Sequence, residues 1–224
     1  MKGHLSSLFA KGIWPFRSRF RYHFIHIPKN GGGSVRDALK KRRDVSLTKP
    51  YHYRYIDIAD RIGRELNFFC VVRNPWSRTA SRFAFAKQNA EKWHADDPRK
   101  IYIKDATFED FVRDQKILPI PNHPGQPWMG PMNSWFNNLE WIRDEKENVV
   151  CDCLRLECIN EDLSSYFREP IVLPHKNATK VQYDYRSIYT DELAEIIAVK
   201  FKEDIAYFGF SFDSAATKNI ATLT

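Results

Sequence analysis

Glycine is scarce in this chain, and the few glycines are unevenly placed. The 224 residues contain 9 glycines, and three of them are consecutive, Gly31-Gly32-Gly33. So little glycine, without any repeat, excludes collagen-like and low-complexity proteins. Glycine enters left-handed backbone conformations at low cost, so a run of three indicates a special backbone requirement at this point of the chain.

Long apolar runs are absent, and cysteines are few. No stretch of about 18 apolar residues occurs, so we expect no transmembrane helix. Cys70 lies in the apolar run FFCVV, whereas Cys151, Cys153 and Cys158 lie in or next to VVCDCLRLEC. This spacing is a poor match to a zinc site, and four cysteines do not make a secreted disulfide framework. We interpret them as buried free thiols of a reducing compartment, with a metal or a disulfide as the alternative.

Apolar residues and positive charge, by contrast, are plentiful. Hydrophobic residues make up 43% of the chain and aromatic residues 14%, which suits one large domain. Lysine and arginine number 35 against 28 aspartates and glutamates, so the net charge is +7. This excess suggests an anionic partner. The charge is spread over the chain without a nucleic-acid-binding motif, so we do not expect nucleic acid as the partner.

The chain divides into three predicted parts: a basic arm over residues 1–21, a single α/β domain over 22–212, and a tail over 213–224. The arm does not resemble a secretory signal, because its short apolar stretch is broken by Lys11 and Pro15. An exposed arm is the simplest interpretation, and its basic, aromatic composition also fits peripheral contact with an anionic membrane surface. We therefore expect a cytoplasmic protein, with membrane association as an option.

Strands and helices are predicted to alternate along the domain. Apolar runs and helical periodicity indicate strands over 24–27, 68–72 and 149–156, and helices over 34–43, 57–66 and 133–143. This alternation predicts a three-layer α/β fold with a central, mainly parallel sheet flanked by helices.

Several helix starts and connections are also predicted. Asn74 caps a helix that begins at Pro75, Thr107 opens a short helix with Asp110, and Thr190 begins a long final helix. Residues 94–106 are predicted to be a polar connection. Residues 117–131 contain five prolines, which predicts a lid or an acceptor-binding loop.

The glycine run lies in the segment IHIPKNGGGSV, between a predicted strand and a predicted helix. A turn of this kind lets backbone N–H groups converge on an anion at a helix N-terminus, to which Lys29 adds a charge and Ser34 a hydroxyl. The kinase phosphate loop places its lysine after the glycines, whereas Lys29 precedes them, and the dinucleotide-binding glycine pattern is not met. A plain tight turn is the alternative.

A second segment, VVRNPWSRTASRF, follows the predicted strand 68–72. Arg73 would lie at the carboxyl end of that strand, where open α/β sheets bind ligands, and Ser81 would lie about two turns into the next helix. The pair is suited to hold one further phosphate. Arg73 taken alone is also compatible with a surface ion pair.

Together, the two segments resemble the nucleotide-binding signatures of sulfotransferases that depend on 3′-phosphoadenosine 5′-phosphosulfate (PAPS), in particular the carbohydrate sulfotransferase (family 2) branch. The usual first motif is similar to P-K-T-G-G-T-S, and here Asn30 and Gly33 replace its two threonines. The resemblance extends from about residue 22 to 212. It includes LRLE from Leu154, LPHKNAT from Leu173, YTDE from Tyr189 and DIAYFG from Asp204.

The resemblance implies a P-loop-like fold and a set of donor-binding residues. The loop residues Lys29, Asn30, Gly31, Gly32, Gly33 and Ser34 would hold the 5′-phosphosulfate, with Lys29 stabilising the leaving phosphate oxygen. Arg73 and Ser81 would hold the 3′-phosphate. Lys180, in a segment that closes over the nucleotide in relatives, is a further candidate phosphate contact, with a solvated lysine as the alternative. PAPS would be the sulfuryl donor and its bisphosphate product PAP the leaving molecule, and no metal is expected.

An acceptor hydroxyl needs a general base near neutral pH. The family uses a histidine or a glutamate, and His52, before the predicted helix 57–66, is our candidate. The alternative is that His52 only packs between Tyr51 and Tyr53. His123 on the proline-rich loop is the reserve candidate, and His26 is interpreted as a core histidine.

The predicted function is transfer of a sulfuryl group to a hydroxyl of a carbohydrate or glycoconjugate acceptor. His52 and Lys29 would be the catalytic residues. A P-loop nucleotide-dependent kinase and a non-catalytic module that binds glycans or anions on the same fold remain as alternatives. Glu157 could orient a site residue, although a helix cap or an ion pair is the simpler interpretation.

Overall fold

The computed structural model of the chain describes residues 20–47, 52–92, 94–113, 137–174 and 184–216. Within these ranges the sheet has four strands: β1 (Tyr22–Ile25), β2 (Val45–Ser46), β3 (Asn67–Val72) and β4 (Asp152–Arg155). Their order is β2-β1-β3-β4, and every neighbouring pair is parallel. The predicted α/β class with a parallel sheet is therefore confirmed.

Nine α-helices accompany the sheet in the described ranges. They are α1 (Gly32–Leu39), α2 (Tyr55–Ile62), α3 (Pro75–Ala90), α4 (Pro98–Asp105), α5 (Phe108–Arg113), α6 (Asn138–Ile142), α7 (Ile159–Phe167), α8 (Asp191–Lys200) and α9 (Lys202–Phe208). Short 3₁₀ turns cover Leu156–Cys158 and Tyr185–Ile188.

Alternate residues of the strands contribute side chains to two separate hydrophobic cores. Phe69 and Val71 of β3 pack on one face of the sheet with apolar residues of α1 and α7, whereas Phe68, Cys70 and Val72 pack on the other face with α2, α3, α6, α8 and α9. This follows from the two-residue period of a strand, which directs successive side chains to opposite faces. Both faces are covered, as parallel sheets require.

The predicted helix starts at Pro75 and Thr107 are confirmed. The Asn74 Oδ1 accepts hydrogen bonds from the backbone N–H groups of Trp76 and Ser77, at 3.0 and 3.2 Å. At α5, the Thr107 Oγ1 accepts from the Asp110 N–H at 3.0 Å while the Asp110 carboxylate accepts from the Thr107 N–H at 2.9 Å. Both are side-chain caps of the kind that the sequence pattern indicates.

Two predictions about helices are wrong. Residues 94–106 are not a polar connection, because α4 occupies 98–105. Its Ile103 and the following Ala106 are buried against Ala90 and Phe111. Tyr102 also packs against this cluster, whereas Ile101 is exposed.

The final helix is also not continuous. It begins with the predicted Thr190 cap, whose Oγ1 accepts from the Leu193 N–H, but it ends at Lys200. Phe201 leaves the helical conformation, with φ −111° and ψ 26°, and buries its side chain. In α9, the Asp204 carboxylate contacts the first turn of α6.

The strand boundaries shift by small amounts. β1 begins two residues before the predicted 24–27, β4 is shorter than the predicted 149–156, and the two-residue β2 was not predicted. Such a short strand has no periodicity of its own, so its place depends on pairing with β1. Among the described residues, no helix is long and apolar enough to cross a membrane.

The cysteines lie in the sheet core. Cys70, Cys151 and Cys153 are buried free thiols, and Cys158 is half-buried. The sulfur atoms of Cys70 and Cys153, on neighbouring strands, are 3.8 Å apart. The predicted burial is thus correct for three of the four cysteines.

Candidate active site

The candidate site lies where β1 and β3 end side by side. Both strands are parallel, so the segments that follow them, 26–31 after β1 and 73–74 after β3, emerge at the same edge of the sheet. The first segment turns into α1 and the second into α3. This edge is the usual ligand-binding edge of an open α/β sheet.

Two of the three consecutive glycines have a specific structural reason. Gly31 has φ +73°, in the left-handed region, and serves as the N-cap of α1. At Gly32, a Cβ atom would lie 2.0 Å from the Cδ2 of the His26 ring, so a side chain at this position would displace the imidazole. Gly33 is exposed. Gly31 is therefore required for its backbone conformation, and Gly32 is required because a side chain does not fit beside His26.

The two sequence motifs are in direct contact through Arg73. The Arg73 Nη1 donates a hydrogen bond to the backbone carbonyl of Lys29 at 3.0 Å, and its Nε and Nη2 donate to the Ser77 Oγ at 3.0 and 2.8 Å. Ser77 was not among the predicted site residues. The predicted Ser81 lies one turn further along α3 and is half-buried. Ser77 and Ser81 are four residues apart on α3, so they lie on the same face of this helix. This spacing can be read from the sequence.

Asn30 has its side chain inside the protein. It is 1% exposed, and its Nδ2 donates to the Val71 carbonyl and to the Asn138 Oδ1, both at 2.7 Å. Its side-chain amide therefore fastens the loop to β3 and α6. At the end of the loop, the Ser34 N–H donates to the Gly31 carbonyl at 3.0 Å and closes the first turn of α1.

Lys29 is half-buried and surrounded by positive charge. Its backbone has φ +67°, which is uncommon for a residue with a side chain, and its Nζ lies 4.0 Å from the centroid of the Phe85 ring on α3. Burial, and then the nearby Arg73 and Arg82, lower the pKa of Lys29 to about 7. A bound anion would have the opposite effect and stabilise the ammonium form.

Two buried arginines of α3 were missed by the sequence-based prediction. Arg78 and Arg82 are 3% and 4% exposed, and the Arg78 Nε donates to the Pro28 carbonyl at 3.2 Å. Burial lowers the pKa of Arg78 to about 10. Their positions, four and eight residues after Asn74, place them on one face of the helix and could have indicated their common role.

His52 lies beside the loop on the His26 side. Its ring centroid is 4.4 Å from that of His26, and its Nδ1 lies 3.0 Å from the His26 backbone carbonyl. Because a carbonyl only accepts, a neutral His52 carries its proton on Nδ1, and Nε2 is then its basic nitrogen. Burial lowers the pKa of His52, the bond to the His26 carbonyl opposes this, and Arg36 adds to the lowering.

His26 connects His52 to the glycines. Burial, and then the nearby His52 and Arg36, lower its pKa to about 3, so the imidazole is neutral at physiological pH. Its ring packs over Gly32 on one side and against His52 on the other. His26 is therefore not the core histidine of the first strand that we predicted: it follows β1 and is half-buried.

Glu157 acts as a cap. Its Oε1 accepts a hydrogen bond from the Asn74 backbone N–H at 2.9 Å, at the start of α3. The simpler of the two interpretations, a cap, is therefore correct, and the contact ties the end of β4 to the second motif.

Other predicted residues lie outside the described ranges: Lys180, His123, Tyr51 and the proline-rich segment 117–131. In the ranges that the structure covers, no group of three or more His, Cys, Asp or Glu side chains is arranged to hold a metal ion. Compared with models of protein families, with curated proteins and with solved structures, the chain gives no match.

Proposed function

We propose that the protein is a PAPS-dependent sulfotransferase with a P-loop-like fold, acting on a hydroxyl of a carbohydrate or glycoconjugate. The observation that carries this proposal is the hydrogen bond from Arg73 to the Lys29 carbonyl. It joins two motifs 44 residues apart, each similar to a donor-binding signature, at the carboxyl edge of a parallel sheet. Loops at this edge and the start of a helix are suited to bind phosphate groups.

The charges of the site fit a polyanionic donor. Lys29, Arg73, Arg78 and Arg82 lie around the same loop. Burial, and then repulsion from Arg73 and Arg82, lower the pKa of Lys29 to about 7. PAPS carries a 3′-phosphate and a 5′-phosphosulfate and supplies the sulfuryl group. The loop from Lys29 to Ser34 would hold the 5′ end, and Arg73 with Ser81 the 3′-phosphate.

The contact between the His52 Nδ1 and the His26 carbonyl supports His52 as the general base. With Nδ1–H directed to the His26 carbonyl, Nε2 takes the proton of the acceptor hydroxyl. The acceptor oxygen forms its bond to sulfur while the bond from sulfur to the phosphate oxygen breaks. The Lys29 ammonium balances the charge that develops on that leaving oxygen.

A binding experiment tests the donor class. In calorimetry, we expect PAP to bind and magnesium-ATP to bind much more weakly. Arg73→Gln should weaken PAP binding by about tenfold or more, since a charge-assisted contact to phosphate is lost. Arg64→Gln removes an arginine that pairs with Asp60 and Glu145 away from the loop, and it should leave the affinity unchanged. Tight ATP binding without PAP binding would refute the proposal and favour the kinase.

A transfer experiment tests catalysis. Labelled PAPS is offered with glycans, lipopolysaccharides and glycolipids, and we expect His52→Ala to lower transfer by roughly 10²–10⁴-fold while PAP binding is retained. His94→Ala, at an exposed histidine, is the control. Because the pKa of His52 is lowered, the rate should not rise further above neutral pH. PAP binding without transfer to any acceptor would favour the non-catalytic module.

A further inference from the structure

A chain of buried hydrogen bonds connects α9 to residues 28–34, the proposed anion-binding loop. It starts at Asp204, which is 0% exposed. The Asp204 carboxylate accepts hydrogen bonds from the backbone N–H groups of Asn138 and Leu139, at 2.6 and 3.0 Å, and from the Asn138 Nδ2 at 2.8 Å. Every one of these contacts brings an N–H donor to a carboxylate oxygen, so Asp204 acts as an acceptor at the start of α6.

The carboxylate sets the orientation of the amides that follow. Because Asp204 accepts, the Asn138 amide must direct its NH₂ group to Asp204 and its Oδ1 the other way. That Oδ1 accepts from the Asn30 Nδ2 at 2.7 Å, and the second hydrogen of Nδ2 goes to the Val71 carbonyl at 2.7 Å. The order of donors and acceptors from Asp204 to Asn30 therefore has one arrangement that satisfies all of these contacts.

Asn30 lies where the backbone conformation of the loop is least common. It lies between Lys29, with φ +67°, and Gly31, with φ +73°. A residue with a side chain is held in the left-handed region only when its surroundings determine its conformation. Arg78 binds the Pro28 carbonyl and Arg73 the Lys29 carbonyl, so three consecutive residues are held from outside the loop.

We propose that Asn138 and Asp204 are positioning residues for the anion-binding loop, which they hold through Asn30 in the conformation that receives the donor phosphates. This inference rests on the proposed function only for the identity of the ligand. Asn138 reaches the loop through Asn30, and its Nδ2 also donates to the Arg73 carbonyl at 3.4 Å. Neither Asn138 nor Asp204 belongs to the proposed set of donor-binding residues. Loop geometry, and with it phosphate affinity, thus depends on residues more than one hundred positions away in the sequence.

The test combines amide exchange in the ligand-free protein with PAP binding. Asn138→Ala removes the amide links to Asn30 and to the Arg73 carbonyl but leaves the backbone contacts of Asp204 in place. Asp204→Asn places an NH₂ group against N–H donors. For both variants we expect amide hydrogens of residues 29–33, followed by NMR, to exchange about tenfold faster or more. The dissociation constant for PAP should rise by about tenfold or more, because a buried hydrogen bond that fixes the loop is lost.

Two controls separate positioning from general loss of stability. Ile197→Ala truncates a buried core residue of α8, and Asp144→Asn alters a carboxylate that also accepts two backbone N–H groups and an asparagine amide, but on an exposed turn. Both should leave loop exchange and PAP affinity within about threefold of the wild type.

The outcomes are distinct. Wild-type loop exchange and PAP affinity in Asn138→Ala, or equal changes in Ile197→Ala, would overturn the positioning role. If the wild-type protein does not bind PAP, the proposed donor is wrong, and the exchange measurements still decide whether Asn138 and Asp204 hold the loop. If Asp204→Asn does not fold, Asn138→Ala alone is decisive, because it keeps the carboxylate and both of its backbone contacts.

Discussion

Lys29 is the residue at which stability and the proposed function oppose each other. A half-buried ammonium beside Arg73 and Arg82 is unfavourable in the ligand-free protein, which is why its pKa falls to about 7. The same arrangement is favourable once an anion is bound, because the anion interacts with every one of these cations. Such a residue is expected at a binding site rather than in a core that serves stability alone.

The pH dependence of stability should reveal Lys29. Between pH 7 and pH 10.5 the unfolded chain keeps this proton while the folded protein has lost it, so the free energy of unfolding rises with pH. From pH 7 to pH 9 the contribution of Lys29 is about 2 kcal/mol. In urea unfolding at these two pH values, Lys29→Met should be more stable than the wild type at pH 7 and lose about half of this advantage at pH 9.

Lys40→Met, at an exposed lysine of the same region, is the matched control and should show no such convergence. Parallel pH profiles for Lys29→Met and the wild type would show that Lys29 is not buried among like charges.

At the scale of elements, α3 carries most of the second motif and is fixed at its N-cap, Asn74. Asn74 caps the helix through Oδ1, and its Nδ2 donates to the carbonyls of Ser211 and Ser214 at 2.7 and 3.1 Å. Its N–H donates to Glu157. One side chain thus joins the helix start to the segment after α9, and the backbone N–H of the same residue joins it to the end of β4.

Two substitutions of Asn74 should separate its roles as cap and tether. Asn74→Ser keeps a capping oxygen but loses the two bonds to the segment after α9, and we expect a loss of about 1–2 kcal/mol in the free energy of unfolding. Asn74→Ala loses the cap as well and should cost about 1 kcal/mol more. Urea unfolding measures both, with Thr107→Ala at the exposed cap of α5 as the comparison. Equal losses for serine and alanine would show that the cap contributes nothing.

At the scale of the whole molecule, two histidines lie at β1 or directly after it: His23 is buried and His26 is half-buried. His23 is 1% exposed and packs 5.4 Å from the Phe68 ring, and burial lowers its pKa to about 3. Burial is also the main reason why the pKa of His26 is lowered to about 3. Both imidazoles are neutral in the folded protein at pH 5, where the unfolded chain would protonate them.

The protein should therefore be sensitive to mild acid. As the pH falls from 6.5 towards 3, the unfolded state binds more protons than the folded state, so the free energy of unfolding decreases. At pH 5 each of the two histidines accounts for about 2 kcal/mol of this decrease. His23→Phe should reduce the difference in unfolding free energy between pH 7 and pH 5 by about that amount. His94→Gln, at an exposed histidine, should leave this difference in unfolding free energy as it is in the wild type. If His23→Phe also leaves it unchanged, His23 is not a buried neutral imidazole.

Local features of the site were predictable, because they depend on neighbours in the chain. The glycine run, the position of Arg73 at the end of β3 and the caps at Asn74 and Thr107 follow from residue type and spacing within a few positions. The same reasoning failed for α4, which depends on burying Ile103 and Ala106 against other helices.

The sequence by itself determined the α/β class, the two motifs and the strand ends at which they lie, since periodicity and turn chemistry are local properties. Only the tertiary structure decided that Asn30 is directed inward, that Arg78 and Arg82 join Lys29, and that His52 lies on His26. The physical reason is that these contacts join residues from 26 to 108 positions apart. Which side chains meet then depends on how helices pack on the sheet, and no local pattern records that.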